Sequence, residues 1–268
     1  MRIIRIVASW MLGLIFSIVM LADFIAPASY GQQFRELPNS APSIKFLLGT
    51  DDLGRDRLSR LLYGTRVSLL LAPAAALLST LAAAVIGGAA GYLGGKWDRL
   101  ITGAIDLFLS LPWLFLLLAA RAILPLDASP YASIMITFSL LGLLGWPGPA
   151  RIVRSGVRNL ASSDFVLAAR ASGCRGARLL FVHLLPNVKP VLLAQFWISV
   201  PAFILAEANL GLLGLGVSEP LPSWGSLLRE LENFSAVFTN PWLLAPAVIL
   251  LVTVCCFQLV LSRVEVSQ

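Results

Sequence analysis

Charged residues are scarce in this sequence of 268 residues. They make up 13% of the chain, whereas soluble globular domains contain roughly 25%. Hydrophobic residues make up 58%, and they occur in long uninterrupted runs instead of the stripes of amphipathic helices. The composition therefore argues against a soluble globular core and predicts an integral membrane protein.

Cysteine and histidine are almost absent. Two of the three cysteines, Cys255 and Cys256, are adjacent and poorly suited to a disulfide, and we expect Cys174 in a reducing compartment. The single histidine, His183, has no nearby cysteine or second histidine to complete a metal site. We therefore expect neither a disulfide framework nor a metal centre.

A phosphate-binding loop is also missing. Such a loop needs the pattern Gly-x-x-x-x-Gly-Lys-Ser/Thr to surround phosphate groups. The nearest match has Ala90 in place of the first glycine and Trp97 in place of the hydroxyl residue. We expect residues 94–97 to form a turn, and we expect no catalytic residue and no cofactor on this chain.

Six apolar runs approach the length of about 20 residues that crosses a bilayer as a helix. The first resembles a signal peptide, but its length and Pro27 favour an uncleaved span. We predict an all-α integral membrane protein with six transmembrane helices. The runs are residues 6–22, 67–93, 100–120, 128–150, 190–214 and 233–262, the last crossing at 242–261. The predicted domains are 1–66 (first helix and external loop), 67–262 (a five-helix core) and 263–268 (a short cytoplasmic tail).

The basic segment, residues 151–189, carries the net charge of the chain. It contains seven basic residues and one acid, Asp164, an excess of six that equals the +6 of the whole chain. A basic stretch between apolar runs is better explained by the positive-inside rule than by nucleic-acid binding. We therefore place this segment and both termini in the cytoplasm and predict no nucleic-acid partner.

The basic segment is expected to fold into two short helices joined at a glycine. Residues 162–164 can cap the first helix, over residues 165–172, and Gly173 follows where a left-handed residue is expected. The second helix, over residues 177–184, should end before Pro186. The apolar residues of the segment need a cover, which could be membrane lipid, the protein's own helices or a partner protein.

Two acidic residues lie within the apolar runs, Asp106 in the third and Glu207 in the fifth. A charge at membrane depth is costly, and both residues are functional candidates for that reason. Each could face a translocation path or make a polar contact between helices. Both interpretations stay open from the sequence.

The loop of residues 28–66 carries charges of both signs and is predicted to be a folded external element. Its last part, residues 56–66, is predicted to form an amphipathic helix that turns three leucines and a tyrosine to the membrane. Arg57, Arg60 and Arg66 would then face water. The element could contact a binding protein or form a structural rim.

The basic segment resembles a known motif. Ala168-Ala169, Gly173 and Leu185-Pro186 have the spacing of the EAA loop in permease subunits of binding-protein-dependent ABC importers. Leu167 stands where the name of that loop expects Glu. Further segments, in consistent order, resemble the C-type permease of the dipeptide/oligopeptide/nickel subfamily. They are residues 48–56, 59–64, 91–95, 213–217 and 222–225.

The resemblance implies a type I ABC importer permease fold, located in the bacterial inner membrane. In such importers the first short helix of the loop docks in a groove on a cytoplasmic ATPase subunit. Small residues allow close approach of the backbones, and arginines can pair with carboxylates of the partner. The residues so implied in ATPase coupling are Ala168, Ala169, Arg170, Gly173, Arg175, Leu185 and Pro186.

The resemblance also implies partners: a second permease, two ATPase subunits that bind ATP and Mg, an extracytoplasmic substrate-binding protein and membrane lipid. The expected function is ATP-driven import of di- or oligopeptides. Nickel or another small solute is the alternative within the family. An ion-coupled secondary transporter, a group in which internal repeats are common, and a membrane scaffold are alternatives outside it. From spacing alone, a basic loop lying on anionic lipid explains the segment as well as docking does.

Overall fold

The structure is a computed structural model that describes residues 2–124 and 128–261. The predicted tail at residues 263–268, and the last residue of the sixth predicted run, lie outside these ranges. The division into domains 1–66, 67–262 and 263–268 stays a prediction.

Within the described ranges the regular structure is helical, and no β-strand occurs there. Two isolated bridges join Gln33 to Arg55 and Thr50 to Asp56. The helices are α1 Arg2–Met20, α2 Ala22–Ile25, α3 Arg57–Leu93, α4 Gly95–Ser110, α5 Trp113–Ile123, α6 Pro130–Leu144, α7 Pro147–Leu160, α8 Asp164–Ala171, α9 Leu185–Asn187, α10 Lys189–Leu212, α11 Trp224–Arg229, α12 Phe234–Thr239 and α13 Ala245–Leu261. A π-helical turn, Leu179–Leu184, precedes α9, and 3₁₀ turns occupy Glu230–Glu232 and Pro241–Leu244.

Five helical stretches are long and apolar enough to cross a membrane, and there are six if the bent pair α4 and α5 forms one span. This confirms the predicted all-α membrane fold with six transmembrane segments. The predicted runs at 6–22, 190–214 and 242–261 correspond to α1, α10 and α13.

The third predicted run, residues 100–120, is not one straight helix. Helix α4 ends at Ser110, α5 begins at Trp113, and the two helices meet at an angle of 89°. Pro112 explains the break, because proline lacks a backbone N–H and disfavours helical backbone at the residue before it. Leu111 accordingly has an extended backbone, with φ of −87° and ψ of 136°.

The second predicted run begins too late. Helix α3 starts at Arg57 and continues without interruption to Leu93, so the separate surface helix predicted at residues 56–66 is its first part. Arg60, which we predicted to face water, is 1% exposed. Arg60 is buried because its charge is compensated by Asp51 and Glu219 instead of by water.

The fourth predicted run, residues 128–150, contains a helix boundary. Helix α6 ends at Leu144, and α7 begins at Pro147. Proline is favoured in the first turn of a helix, where its missing N–H leaves no bond unmade. The end of this run and the beginning of the basic segment therefore belong to one helix, α7.

Contacts divide the chain into two compact units. The first comprises Met1–Ala72, Arg121–Phe138 and Pro201–Gln268, and the second comprises Pro73–Ala120 and Ser139–Val200. Within the first unit α1 and α11 pack against α13, and within the second α4 packs against α7.

A buried network of ion pairs organises the first unit. The Arg55 guanidinium contacts Asp51 and Glu219, each at 2.6 Å, and the Arg60 guanidinium contacts Glu219 at 2.8 Å and Asp51 at 3.6 Å. Asp51, Arg55 and Arg60 are almost completely buried. The network therefore joins the loop before α3, the first turn of α3 and the loop after α10.

We predict that Arg60→Gln destabilises the protein by about 3 kcal/mol, because breaking a buried ion pair leaves an uncompensated charge. The matched control is Arg66→Gln. Arg66 lies on the same helix as Arg60 but forms an exposed ion pair with Asp23 of α2, and its replacement should cause a much smaller loss of stability. Thermal unfolding of the purified variants in detergent measures both. Equal losses for the two variants would contradict a structural role of the buried network.

Candidate coupling segment

Helix α7 binds α4 through ion pairs. Arg154 donates to both carboxylate oxygens of Asp98, one bond being 2.7 Å long, and Arg158 lies 3.5 Å from the same carboxylate. Arg151 pairs with Asp106. Three of the basic residues that define the segment are therefore paired with acids of the same unit. Asp106 makes a polar contact between helices, and a place for it on a translocation path stays a prediction.

Helix α8, Asp164–Ala171, begins and ends one residue earlier than the predicted helix at 165–172, and the predicted side-chain cap is not formed. Ser163 occupies its N-cap position, but the Ser163 hydroxyl donates to the carbonyl of Leu160 at 2.6 Å instead of accepting from the helix. Gly173 follows the helix with φ of +83°, the left-handed conformation that suits glycine at a helix C-terminus. The turn at Gly173 is thereby confirmed.

The second short helix does not end before Pro186, contrary to prediction. The π-helical turn Leu179–Leu184 leads directly into α9, and α10 follows at Lys189. The backbone N–H of Leu185 bonds to the carbonyl of Leu180, five residues back. A π-helical turn is wider than an α-helical one. It therefore separates the ring of Pro186 from the preceding turn, with which the ring would collide in a regular α-helix.

The segment has a hydrophobic cluster that α7 completes. Val166 of α8 and three leucines of the second helix are buried against two valines of α7, whereas Phe165 is 40% exposed and Phe181 is 52% exposed. The protein's own helices thus cover part of the apolar surface of the segment. The buried members are Val153, Val157, Val166, Leu179, Leu180, Leu184 and Val188.

The end of α3 is fitted to this cluster by glycines. A Cβ atom on Gly91 would lie 2.6 Å from the Arg154 carbonyl oxygen, and one on Gly88 would lie 3.1 Å from a methyl group of Leu185. One helical turn before Gly91, a Cβ atom on Gly87 would likewise lie within 3.0 Å of the Ala150 backbone. Close approach of two helices through glycines spaced by four residues is a known packing mode.

Tyr92 makes a further connection between α3 and the segment. Its hydroxyl oxygen accepts a 2.9 Å hydrogen bond from the backbone N–H of Gly176, and its ring packs against the cluster. The turn between the two short helices is therefore held at a fixed place on α3.

The predicted coupling residues separate into two groups. Ala169 and Leu185 pack partly buried against the hydrophobic cluster. The other five are exposed, and they are Ala168, Arg170, Gly173, Arg175 and Pro186. Sequence spacing alone does not distinguish the two groups, because the inward turn of Leu185 depends on the π-helical turn.

Glu207 lies in the first unit and is completely buried. The Ser68 hydroxyl donates to its carboxylate at 3.3 Å. Gly225 lies against the same carboxylate and against Gly211, where a Cβ atom on Gly225 would be 2.7 Å from the Gly211 Cα. Glu207 is therefore a polar contact among α3, α10 and α11, and a role for it in translocation stays a prediction.

Arg121 is a buried charge that the sequence analysis did not consider, because the predicted third run ended at residue 120. Its guanidinium donates to the Ser133 hydroxyl at 3.1 Å. The same hydroxyl accepts from the Ser218 backbone N–H at 3.2 Å. The signal in the sequence is a basic residue that directly adjoins an apolar run.

Comparison with known families matches residues 83–265 to the binding-protein-dependent transport system inner membrane component. This range includes the whole basic segment and both acids, Asp106 and Glu207.

Several relatives are more than 30% identical over most of the chain. The dipeptide transport system permease protein DppC of Bacillus subtilis is 32% identical over 91% of this chain and 74% of its own length. The di/tripeptide transport system permease protein DppC of Pseudomonas aeruginosa is 35% identical over 83% and 75%, respectively. The oligopeptide transport system permease protein OppC of Haemophilus influenzae is 32% identical over 93% and 78%.

A solved structure shares the fold. A chain of the MetNI methionine ABC transporter, in an inward-facing conformation, superposes with a TM-score of 0.58 at 19% identity, covering 79% of this chain and 97% of the other. The type I importer permease fold is thereby confirmed. With a family match over most of its length and relatives of this identity, the chain belongs to the family of inner-membrane components of binding-protein-dependent transport systems.

Proposed function

We propose that this chain is the permease subunit of an ATP-driven importer of di- or oligopeptides, working with a second permease, two cytoplasmic ATPase subunits and an extracytoplasmic substrate-binding protein. The named relatives support the substrate class, since they are dipeptide, di/tripeptide and oligopeptide permeases. The observation that carries the coupling role is that α8 and Gly173 expose a surface to solvent while the opposite side of α8 packs against the hydrophobic cluster.

Coupling requires a surface that a partner can push and that does not yield. The exposed residues Ala168 and Gly173 are small, so a partner backbone can approach them closely. Arg170 and Arg175 are exposed beside them and can pair with carboxylates of an ATPase subunit. Because the back of the segment is packed on α7 and fitted to α3, a displacement of this surface would move both helices.

The two acids of α4, Asp98 and Asp106, pair with the three arginines of α7, so most of the positive charge of α7 is offset. Arg170 and Arg175, which flank the exposed small residues in the sequence, have no acidic partner within the part of the chain that the structure describes. This distribution favours docking on an acidic groove over adsorption to anionic lipid. Membrane lipid then surrounds the apolar helices without being the ligand of the segment.

ATP and Mg belong, in this proposal, to the ATPase subunits and not to this chain. The closest approach to a phosphate-binding loop is at Gly94, the single residue between α3 and α4, and Gly95, the first residue of α4, whose φ values are 64° and 56°. Trp97 stands there in place of the hydroxyl residue that would hold Mg. With the basic segment in the cytoplasm, six spans place both termini in the cytoplasm as well.

Reconstitution with the partner subunits encoded beside it tests the function. We expect uptake of a labelled dipeptide into proteoliposomes to require ATP and the binding protein. Uptake of Ni²⁺ in place of the dipeptide would establish the alternative substrate within the family. Dipeptide uptake that ignores ATP and follows an ion gradient would overturn the importer assignment.

Replacement of Gly173 tests the docking surface. No atom lies within 4 Å of a Cβ atom built on Gly173, but its φ is positive, so Gly173→Leu introduces local strain and bulk together. Gly94→Leu is the matched control, because Gly94 has positive φ and open surroundings without belonging to the segment. We expect Gly173→Leu to lower peptide transported per ATP hydrolysed by about tenfold or more, and Gly94→Leu to leave this ratio unchanged.

Gly173→Asn separates bulk from backbone strain, because asparagine tolerates the left-handed region. It should retain the fold and still impair coupling if close approach of a partner is what requires glycine. Equal coupling in Gly173→Leu, Gly173→Asn and the unaltered protein would remove α8 from the coupling role.

Replacement of Gly91 tests the connection of the segment to α3. Gly91→Leu would drive a side chain into the Arg154 carbonyl and should cost about 1–3 kcal/mol of stability, as overpacking does. We also expect ATP hydrolysis to continue while peptide transport falls. Gly103→Leu is the control, since no atom lies within 4 Å of a Cβ atom at that helical position. A loss of stability with unchanged transport per ATP would confine Gly91 to a structural role.

A further inference from the structure

A cavity of about 380 Å³ lies in the first unit, on the side that we place outside the membrane. One wall is formed by the loop that precedes α3 and by Arg57, the first residue of that helix. The other wall is formed by α12 and its flanking turns, including Trp242 and Leu243. The volume falls within the range of about 300–1,000 Å³ that is usual for small-molecule pockets.

Polar uncharged residues are the largest group in the lining, five of the eleven residues. Three asparagines, Asn39, Asn233 and Asn240, line the cavity together with Ser40 and Thr50. The Asn240 amide nitrogen donates to the carbonyl of Ala236 at 3.1 Å, and the Asn233 amide oxygen accepts from the backbone N–H of Ala236. These bonds fix both asparagines and leave one polar end of each amide for a further partner.

The charges that line the cavity have a net value of −1. Arg57 is engaged, because its guanidinium pairs with Glu230 and donates to the carbonyl of Thr50 at 2.9 Å. Burial raises the pKa of the Glu230 carboxyl, and the Arg57 guanidinium opposes this shift. Asp52 is the third charge. It is exposed, and among the described residues its carboxylate has neither a hydrogen bond nor an ion pair.

We propose that this cavity binds the amino-terminal end of a short peptide, with the ammonium group at Asp52 and the first peptide group among the asparagines. The inference rests on the proposed peptide substrate and adds a binding site on the permease itself. The free carboxylate suits an organic ammonium ion, which forms strong charge-assisted hydrogen bonds. The amide and hydroxyl groups match the donors and acceptors of a peptide backbone, and Trp242 and Leu243 give an apolar wall for a side chain.

The opposite orientation is disfavoured by charge. A peptide carboxylate in this cavity would face Asp52 and Glu230, and the guanidinium of Arg57 is already neutralised by Glu230. A lysine side chain of a docking protein carries the same ammonium chemistry but lacks an adjacent peptide group to engage the asparagines. The test therefore includes probes that differ in only one of these features.

Equilibrium dialysis of tritiated trialanine against the purified full-length protein in lipid nanodiscs measures the binding. We expect saturable binding of trialanine. The affinity for N-acetyl-trialanine, which lacks the ammonium group, should be lower by at least about tenfold. Asp52→Asn should cause a similar loss. Glu232→Gln removes an exposed acid that lies next to the cavity without lining it, and this control should bind trialanine like the unaltered protein.

Three outcomes would overturn the inference: no saturable binding of trialanine, equal binding of the acetylated peptide, or equal loss in Asp52→Asn and Glu232→Gln. Binding of n-butylamine as tight as that of trialanine would assign the site to a lysine side chain instead. Failure of the inference is distinguishable from failure of the proposed function, because ATP-dependent dipeptide uptake by the complete transporter is measured separately.

Discussion

Ion pairing between arginines and carboxylates fixes both compact units of this chain. An isolated charge in apolar surroundings costs several kcal/mol, and its neutralisation therefore constrains which elements can be neighbours. In the first unit, Arg55 and Arg60 gather Asp51 and Glu219 from two loops around the start of α3. In the second unit, Asp98 collects Arg154 and Arg158 from α7. Few acids are present, and Asp51, Asp98 and Glu219 act as fixed points for the elements they join.

The basic segment combines a packed interior with an exposed surface that a partner can contact. Its interior is a cluster of branched side chains to which α3 presents glycines, so that backbones lie in contact without intervening side chains. Its exterior carries small residues and arginines, which suits a partner whose surface brings both shape and negative charge. Coupling needs this combination, because a displacement of the exposed surface reaches α3 and α7 only if the segment beneath it does not bend.

Much of the fold follows from the sequence, because apolar runs of bilayer length must be helices that satisfy their own backbone hydrogen bonds. The bend at Pro112 and the boundary before Pro147 were predictable in principle, since proline acts locally. The early start of α3 was not. Whether residues 56–66 form a separate helix or the beginning of α3 depends on the burial of Arg60, and that burial depends on Glu219, which is distant in the sequence.

The candidate site was predictable to a similar degree. The turn at Gly173 follows from local backbone preferences. The inward position of Leu185 and the glycine contacts of α3 depend on tertiary packing and have no local signal. The cavity lined by Asp52 is likewise assembled from segments far apart in the chain, so that no motif marks it.

The pairing of Asp98 with Arg154 has a consequence for biosynthesis. The partners are 56 residues apart, and at about 5–20 residues per second the arginine is made several seconds after the aspartate. During that interval Asp98 has no arginine of α7 to pair with, and water or lipid headgroups must accommodate it. Arg60 waits longer for Glu219, 159 residues later, but Asp51 is already close by. During synthesis, therefore, Asp98 of α4 remains without its arginine partner until α7 is made, whereas Arg60 at the start of α3 has an acid, Asp51, nearby in the sequence from the outset.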